Sequence, residues 1–437
     1  MTKSQTDKVK SLFCLLLLWS LLVAPLIYDP SDVLQCHRMW AHQSQGTGPW
    51  NIYFLNREGQ RDPQAGYLYP PVALWILTGI ERLQMICGPL VSDAVSSFVF
   101  FMKLPNIVAF FASALVLYHG LKRKCAKHYA ISVANNYLMC IPLLCVAAVW
   151  GQWEALLAFF VIVTLMAAIN DQPFTMGAAA ALALSLKVTA IVFAPTILVY
   201  VLRKSGTRGV FKALIAFLLA TLLLCVPIVL HGAGRELYDS YTVVFNKGVT
   251  LSNHAENLWM FLREISRFMP GCHLGNGTDV LIAGLISPRN LGLLLLFIYT
   301  LATLIVLWRR PTVYVFALGT AMVGLAFYIL STQIHNRWGL PALALLSILS
   351  PGNFRLTYFV FCVTMFLEIA IGFYDWVYLN HISNPPRWIP SCLAVTNLLL
   401  SFIQCVIFTW ASIAFFKIAT SRTISESEYL GLREPTS

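Results

Sequence analysis

The chain has few charged residues. Of its 437 residues, only 11% are Asp, Glu, Lys or Arg and 58% are hydrophobic, whereas soluble domains carry about 25% charged residues. This shortage excludes an ordinary soluble domain. It predicts an all-α polytopic membrane protein, because a backbone in lipid must satisfy its own hydrogen bonds. The net charge of +11 does not indicate nucleic-acid binding, since basic residues accumulate in the cytoplasmic loops of membrane proteins.

Several motifs that would indicate other chemistry are also missing. The sequence contains no GxGxxG, Walker A, HExxH or GxSxG motif, so soluble nucleotide chemistry is not indicated. It contains no CxxC pair and no Cys/His spacing suited to a metal, and we predict no metal site. No period of 20–50 residues and no two-fold repeat is visible, which disfavours a transporter. Four cysteines in or near predicted outer loops leave a disulfide open: Cys36, Cys87, Cys272 and Cys392.

The longest polar stretch covers residues 29–71 and follows the first apolar run directly. A loop of this length is usually functional or disordered, and its aromatic residues and proline pairs argue against disorder. Asp32 in this loop is suited to act as a general base on a hydroxyl group. Asp32 is equally suited to the N-terminus of the helix predicted from residue 33 to 42, and both interpretations stay open.

The distribution of basic residues predicts the topology. Three lysines precede the first apolar run, residues 11–28, and place the N-terminus in the cytoplasm. Residues 72–90 are apolar but contain Glu81, Arg82 and Gln84, so we predict a helix lying in the membrane interface. The following run, 102–121, then returns to a basic cytoplasmic cluster.

The rest of the chain completes about ten crossings, the short run 339–349 among them, or about 10–13 transmembrane or half-membrane helices in all. Both ends of the stretch 175–202 are predicted on the same side of the membrane, which predicts two half-length helices that meet near Lys187. We predict one integral-membrane domain, 1–437, with these segments: a cytoplasmic end and span one (1–28), a first extracytoplasmic catalytic loop with interface helices (29–101), a helical module (102–231), an extracytoplasmic loop (232–290), C-terminal helices (291–416) and a cytoplasmic tail (417–437).

This topology places four polar clusters on the outer face. They are the first loop, WGQWE (150–154), HAENLW (254–259) and TQIHNRW (332–338). A Trp belt or a juxtamembrane anchor would explain part of this pattern. The residues predicted to contact substrate are Tyr69, Trp150, Gln152, Glu154, His254 and Asn257.

Cationic residues predict a site for phosphate. Lys187 lies deep in an apolar stretch, where a Lys costs about 2.5–3.5 kcal/mol on insertion scales. A lipid-linked phosphate would offset this cost, and so would snorkelling or a pair with Glu154 or Asp32. His335 and Arg337 near the outer surface suit phosphate or sugar, since guanidinium groups fork onto phosphate oxygens.

A set of short motifs follows a fixed order along the chain. They are Asp32 and Trp40, GPWNIYF (48–54), YLYPPVALWIL (67–77), MKLPNIVAF (102–110), a Pro eight residues before WGQWE, Lys187 with Pro195, NLW (257–259) and IHNRW (334–338). Over about residues 10–350 this order resembles that of the GT-C glycosyltransferases. The chain looks similar to enzymes that use a polyprenyl- or dolichyl-phosphate sugar, including bacterial mannosyltransferases and the dolichyl-phosphate-glucose enzymes of N-glycan assembly.

The resemblance implies sugar transfer with inversion on the extracytoplasmic or lumenal face. It makes Asp32 the base, places Lys187 and Arg337 at the donor phosphate and His335 near the donor head group. Glu154 stands where the family often has Asp, and Leu68 and Asn336 replace an Asp and a Glu of the family. The gap from Asp32 to Trp40 is one residue longer than usual. Asp62 and Glu154 are therefore alternative bases.

The predicted function is a lipid-linked-sugar-dependent hexosyltransferase, with mannose as the expected sugar. Its partners are the lipid-linked donor, the membrane and a lipid-linked glycan, glycolipid or protein acceptor, without nucleic acid. Departure of the lipid phosphate requires no cofactor, although a divalent cation can stabilise its negative charge. A transporter or lipid flippase, or an inactive protein of the same fold, are the alternatives.

Overall fold

The computed structural model describes residues 3–28, 30–44, 48–54, 69–87, 94–246, 251–267, 277–278, 282, 285–377 and 388–421. Within these ranges the fold is almost entirely helical, which confirms the prediction from composition. No disulfide joins any of the cysteines described there. Cys272 and Asp62 lie outside the described residues.

The helices follow one another with short connections. In chain order they are α1 (Lys3–Val23), α2 (Met39–Gln43), α3 (Asn51–Phe54), α4 (Pro71–Cys87), α5 (Ala94–Leu121), α6 (Lys127–Leu138), α7 (Ile141–Cys145), α8 (Glu154–Ile169), α9 (Pro173–Leu186), α10 (Ala194–Leu230), α11 (Gly234–Asn246), α12 (Leu258–Ser266), α13 (Pro288–Arg309), α14 (Val313–Leu330), α15 (Leu340–Leu346), α16 (Arg355–Val377) and α17 (Trp388–Thr420). Pro30–Arg38 and Val146–Trp150 are π-helical and Val188–Phe193 is a 3-10 helix. Two short strands, β1 (Ser252–Asn253) and β2 (Ile334–His335), pair in parallel.

Six described helices are long and apolar enough to cross a membrane. They are Ala94–Leu121, Val188–Leu230, Pro288–Arg309, Val313–Leu330, Arg355–Asp375 and Cys392–Thr420. The pair α6 and Ile141–Trp150, bent by 51°, makes a seventh if it is one span, and three shorter apolar helices accompany them. The multi-pass membrane class is therefore confirmed. The helix predicted at 72–90 is present as α4, and its place in the membrane interface stays a prediction.

Local sequence explains where several helices begin. The Ser287 hydroxyl accepts from the backbone N–H of Asn290, and Pro288 follows at the first helical position of α13. Thr312 caps α14 in the same way by accepting from the N–H of Val315. Each cap satisfies a backbone donor that has no partner inside the helix.

The predicted break near Lys187 is confirmed. α9 ends at Leu186, Lys187 is extended with φ −153° and ψ 124°, and a 3-10 turn leads into α10. The expected second half-helix does not end at residue 202, however. α10 runs on to Leu230 with one non-helical residue, Gly206, at φ 66° and ψ −172°, a conformation that glycine adopts without steric cost.

The predicted crossing at 339–349 is corrected. α15 contains seven residues, all buried, and a helix of this length is about 10 Å long. The hydrocarbon core is about 30 Å thick. α15 is therefore a half-length helix.

The chain forms two compact units. The first contains Met1–Ser113, Leu143–Ile191 and Thr207–Lys247, and the second contains Ala114–Pro142, Val192–Gly206 and Gly248–Ser437. α8 is buried on nearly all sides in the first unit, as α14 is in the second. A helix that is apolar on all sides belongs in a protein interior or a membrane. The segment boundaries predicted from the sequence stay a prediction.

Close helix packing in the first unit depends on Gly177. A Cβ atom added there would lie 2.8 Å from the carbonyl carbon of Ala213 and 3.0 Å from its Cα atom. These are backbone atoms of α10, which do not move aside as a flexible side chain would. Small residues at such contacts let membrane helices approach closely.

We expect Gly177→Ala to lower the free energy of unfolding by about 1–3 kcal/mol, because the added methyl group overpacks the contact between α9 and α10. The melting temperature in detergent, followed by tryptophan fluorescence, measures the effect. Gly79→Ala in α4 is the matched control, because nothing lies within 4 Å of its added Cβ. Equal melting temperatures for the two variants would contradict the close approach.

Candidate functional site

The first-loop segment (Pro30–Gln43) has one buried face made of aromatic rings. The His37 ring centroid lies 5.4 Å from that of Trp40, 5.6 Å from that of Trp153 and 6.2 Å from that of Tyr69. His37 and Trp153 are buried and Tyr69 is half-buried. The Tyr53 hydroxyl donates to the backbone carbonyl of Tyr69 at 3.2 Å. Trp153 therefore joins the first loop to the WGQWE turn (150–154), two of the predicted polar clusters.

Asp32 lies in this segment. Its backbone is the third residue of the π-helical stretch Pro30–Arg38, five residues before His37, and its side chain lies outside the description. The helix predicted from residue 33 to 42 is present, as this π-helical stretch and α2. π-helical turns are frequent at functional sites.

The WGQWE turn is enclosed by protein. Gly151 is its pivot, with φ 83° and ψ 30° at the C-terminal end of the π-helical stretch Val146–Trp150. Trp150, Gln152 and Glu154 are all at most 5% exposed. Buried tryptophans do not form an interfacial belt, so that alternative is excluded for this turn.

Lys187 forms a buried ion pair with Glu154. The Lys187 ammonium donates to Glu154 Oε1, and the two side chains are only 10% and 1% exposed. This is one of the pairings that the sequence left open. The break between α9 and the 3-10 turn thus places the Lys187 cation at the start of α8.

An open cavity of about 650 Å³ lies on the other face of the first-loop segment. Both polar and apolar side chains line it, and His42 Nδ1 lies 3.4 Å from Glu81 Oε1 at its edge. The lining residues are Leu34, Arg38, Met39, His42, Glu81, Gln84, Met85 and Ala94.

In the second unit, the HAENLW and IHNRW motifs are brought together. β1 pairs with β2 so that Asn253 is opposite His335, and the Asn253 amide donates to His335 Nε2 at 3.1 Å. An amide N–H donates, so this contact suits a His335 tautomer with an unprotonated Nε2. His254 and Gln333 beside the strands have positive φ, 56° and 63°, which is uncommon for residues other than glycine and clusters at functional sites.

Partly exposed charges surround this strand pair. His254 Nδ1 lies 3.7 Å from Asp375 Oδ2, and His335, Arg337 and Trp338 are half-buried. Burial lowers the pKa of His254, and Arg263 and Arg337 lower it further, against the opposing effect of Asp375. A His254 ring that is neutral at physiological pH can accept or donate a hydrogen bond, while Arg337 supplies a positive charge for an anion.

Asn257 has a structural role, and its predicted contact with substrate stays a prediction. It is fully buried, and its Oδ1 accepts from the backbone N–H groups of Trp259 and Met260 at the start of α12. Its Nδ2 donates to the carbonyls of Tyr328 and Ser331. With both ends of the amide occupied inside the protein, Asn257 anchors α12 to the end of α14.

A buried carboxyl pair supports the strand pair. Glu368 Oε1 accepts from the backbone N–H of Glu256, both its oxygens accept from the Tyr328 hydroxyl, and Oε2 accepts from the Gln404 amide. Burial raises the pKa of Glu256 well above its ordinary value, and Glu368 raises it further. Three donors therefore hold the Glu368 carboxyl group in place, and the raised pKa favours the neutral form of Glu256.

The same face of α16 contacts both motifs. One turn after Glu368, Gly372 lies against Asn336, because an added Cβ would come within 2.5 Å of Asn336 Nδ2. Asn336 is buried. Asp375 and Glu368 were not predicted as site residues, although an ionisable residue such as Glu368 in an apolar run is a recognisable signal. His37, Trp153 and Lys103 were missed as well.

Among the described residues, no group of three or more His, Cys, Asp or Glu side chains is placed to hold a metal ion. The prediction that no metal is required stays a prediction.

Three solved structures match the chain at low identity. ArnT from Cupriavidus metallidurans bound to undecaprenyl phosphate is 14% identical, with a TM-score of 0.48, covering 96% of this chain and 78% of that one. The apo Archaeoglobus fulgidus oligosaccharyltransferase is 14% identical, with a TM-score of 0.40 and coverage of 92% and 56%. Arabinosyltransferase EmbB from Mycobacterium smegmatis is 14% identical, with a TM-score of 0.31 and coverage of 97% and 42%.

The sequence itself matches a known family. No curated protein matches the chain significantly. The ALG6, ALG8 glycosyltransferase family matches residues 91–374, a range that includes Lys187, His335 and Arg337 but not Asp32. This confirms the resemblance to lipid-linked-sugar glycosyltransferases of the GT-C type. Because the matched range is more than half of its length, the chain belongs to the ALG6, ALG8 glycosyltransferase family.

Proposed function

We propose that the protein transfers a hexose from a polyprenyl or dolichyl phosphate to an acceptor hydroxyl, with inversion at the anomeric carbon. The observation that carries the proposal is the family match over residues 91–374. The second unit supports it, since the paired motifs in that range present His254, His335 and Arg337 at a partly exposed surface.

The proposed donor contacts are cationic or hydrogen-bonding groups. Arg337 provides a planar fork for phosphate oxygens, and His335 lies near the donor head group. Lys187 is proposed as a further phosphate contact. Its ammonium has three N–H donors, and the pair with Glu154 keeps it charged in a buried position.

The proposed base is Asp32. It takes the proton from the acceptor hydroxyl, the oxygen attacks the anomeric carbon, and the bond from that carbon to the phosphate oxygen breaks. The lipid phosphate leaves with the electron pair, and cationic side chains stabilise its charge. Glu154 is less suited to this role, because its carboxylate is enclosed and paired with Lys187.

The sugar is proposed to be glucose in place of the expected mannose. The matched family is named for glucosyltransferases, and mannose specificity is not confirmed. The proposed acceptor is a lipid-linked glycan, a glycolipid or a protein. The open cavity beside Glu81 has the mixture of carboxylate, amide, basic and apolar groups that can hold sugar residues.

The proposed orientation follows the basic residues. Both termini lie in the cytoplasm, and the site faces the extracytoplasmic side, which is the endoplasmic reticulum lumen in a eukaryote or the periplasm in a bacterium. No cofactor is proposed beyond the lipid-linked donor, and the effect of a divalent cation is measured with and without chelator.

The experiment uses the full chain in detergent or proteoliposomes with radiolabelled dolichyl-phosphate glucose, dolichyl-phosphate mannose and a lipid-linked oligosaccharide pool. We expect transfer from the glucose donor that exceeds transfer from the mannose donor. Transfer from the mannose donor alone would overturn the sugar assignment. The flippase alternative would be favoured if neither donor supports transfer and lipid moves between the leaflets of the proteoliposomes. An inactive protein would be favoured if neither transfer nor lipid movement occurs.

A further inference from the structure

Lys103 is a buried lysine with no part in the proposed chemistry. It lies in α5, which is long and apolar enough to span a membrane, and its side chain is fully enclosed. Ionisable residues in such helices are rare, and they pair with other groups or with backbone carbonyls. Its surroundings therefore indicate a role for the ammonium group.

The ammonium binds the backbone where the first loop begins. Lys103 Nζ donates to the carbonyl of Ala24 at 2.8 Å and to that of Ile27. α1 ends at Val23, so these carbonyls lie just beyond the helix end, where backbone acceptors lack partners within the helix.

The stem of the same side chain contacts the WGQWE turn. A Cβ added to Gly151 would lie 3.2 Å from Lys103 Cε, 3.3 Å from its Cγ and 3.5 Å from Cγ2 of Val33. Gly151 therefore lies beside both the Lys103 stem and Val33. Three residues later on α5, Asn106 Oδ1 accepts from the backbone N–H of Leu156 near the start of α8.

We propose that Lys103 is a positioning residue that holds the start of the first-loop segment in a fixed place against the WGQWE turn. Its Nζ anchors the carbonyls of Ala24 and Ile27, and its stem packs beside Gly151 and Val33. The consequence for catalysis rests on the proposed function, because Asp32 stands in the segment that begins three residues after Ile27.

The test compares purified Lys103→Met with wild type and with Lys204→Met, a matched change at an exposed lysine. We expect Lys103→Met to lower kcat about 100-fold, since a displacement of about 1 Å at a reacting group has this effect. The KM for the lipid-linked donor should stay within about 2-fold, because no donor contact is removed. Deuterium uptake in peptides covering residues 24–44 should about double, while peptides from α14 keep their protection.

Three outcomes would overturn the proposal: unchanged uptake in residues 24–44, a rise in KM with unchanged kcat, or the same behaviour in Lys204→Met. If Lys103→Met does not fold, Lys103→Gln, which keeps an N–H donor, decides between the same outcomes. If the wild type shows no transfer, the proposed function fails, and the exchange of residues 24–44 still decides whether Lys103 holds the segment.

Discussion

Asp32→Asn is expected to lower hexosyl transfer by about 10²–10⁴-fold, the range that a general base contributes. The amide keeps the size of the side chain but cannot accept the proton of the acceptor hydroxyl. Initial rates with saturating lipid-linked donor and acceptor measure the loss. The donor KM should change little, because the base acts on the acceptor.

Asp29→Asn is the matched control for this experiment. Asp29 lies three residues before Asp32 in the sequence, and its replacement should leave the rate within about 2-fold. Full activity of Asp32→Asn would refute the base assignment. A loss confined to Asp62→Asn would move the assignment to Asp62. The experiment is needed because the family match begins at residue 91 and therefore does not include Asp32.

Lys187→Met is expected to lower the free energy of unfolding by about 3–5 kcal/mol, because it leaves the buried Glu154 carboxylate without its cation. Both side chains are nearly enclosed, so water replaces little of the lost interaction. The melting temperature in detergent and the yield of monodisperse protein measure the loss. The double variant Lys187→Met with Glu154→Gln should recover most of it, since no buried charge is left.

Glu81→Gln is the control for the ion pair. Its partner His42 is 83% exposed, and exposed pairs contribute about 0–1 kcal/mol. A double variant as unstable as the single one would show that the pair does not set the stability of the site. A stable double variant with normal transfer would show that Lys187 does not contact the donor phosphate. A stable double variant with a raised KM for the donor would support that contact.

Much of the architecture was predictable from the pattern of apolar runs in the sequence. Long apolar runs can only be helices in lipid, so the spans on α13, α14, α16 and α17 were expected in nearly their observed places. The break at Lys187 was predictable because 28 residues cannot cross twice. The seven-residue α15 was not, since apolar composition does not distinguish a buried half-length helix from a span.

The site was predictable in part. Motif order led to WGQWE, HAENLW and IHNRW, and the last two do pair in the second unit. Asn257 was predicted to contact substrate as a member of the HAENLW cluster, and the structure shows its amide capping α12. The composition of a motif does not tell whether its polar atoms face a ligand or the backbone.

The sequence by itself determined the membrane class, the helical fold, the glycosyltransferase family and the candidate motifs of the site. Only the tertiary structure decided that Lys187 binds Glu154 and that Lys103 binds the carbonyls after α1. It also decided that Asp375 and Glu368 contact the HAENLW motif. The physical reason is that a buried charge must find a partner, and which partner it finds depends on residues dozens of positions away. The order of residues along the chain does not show which of these distant residues are close in space.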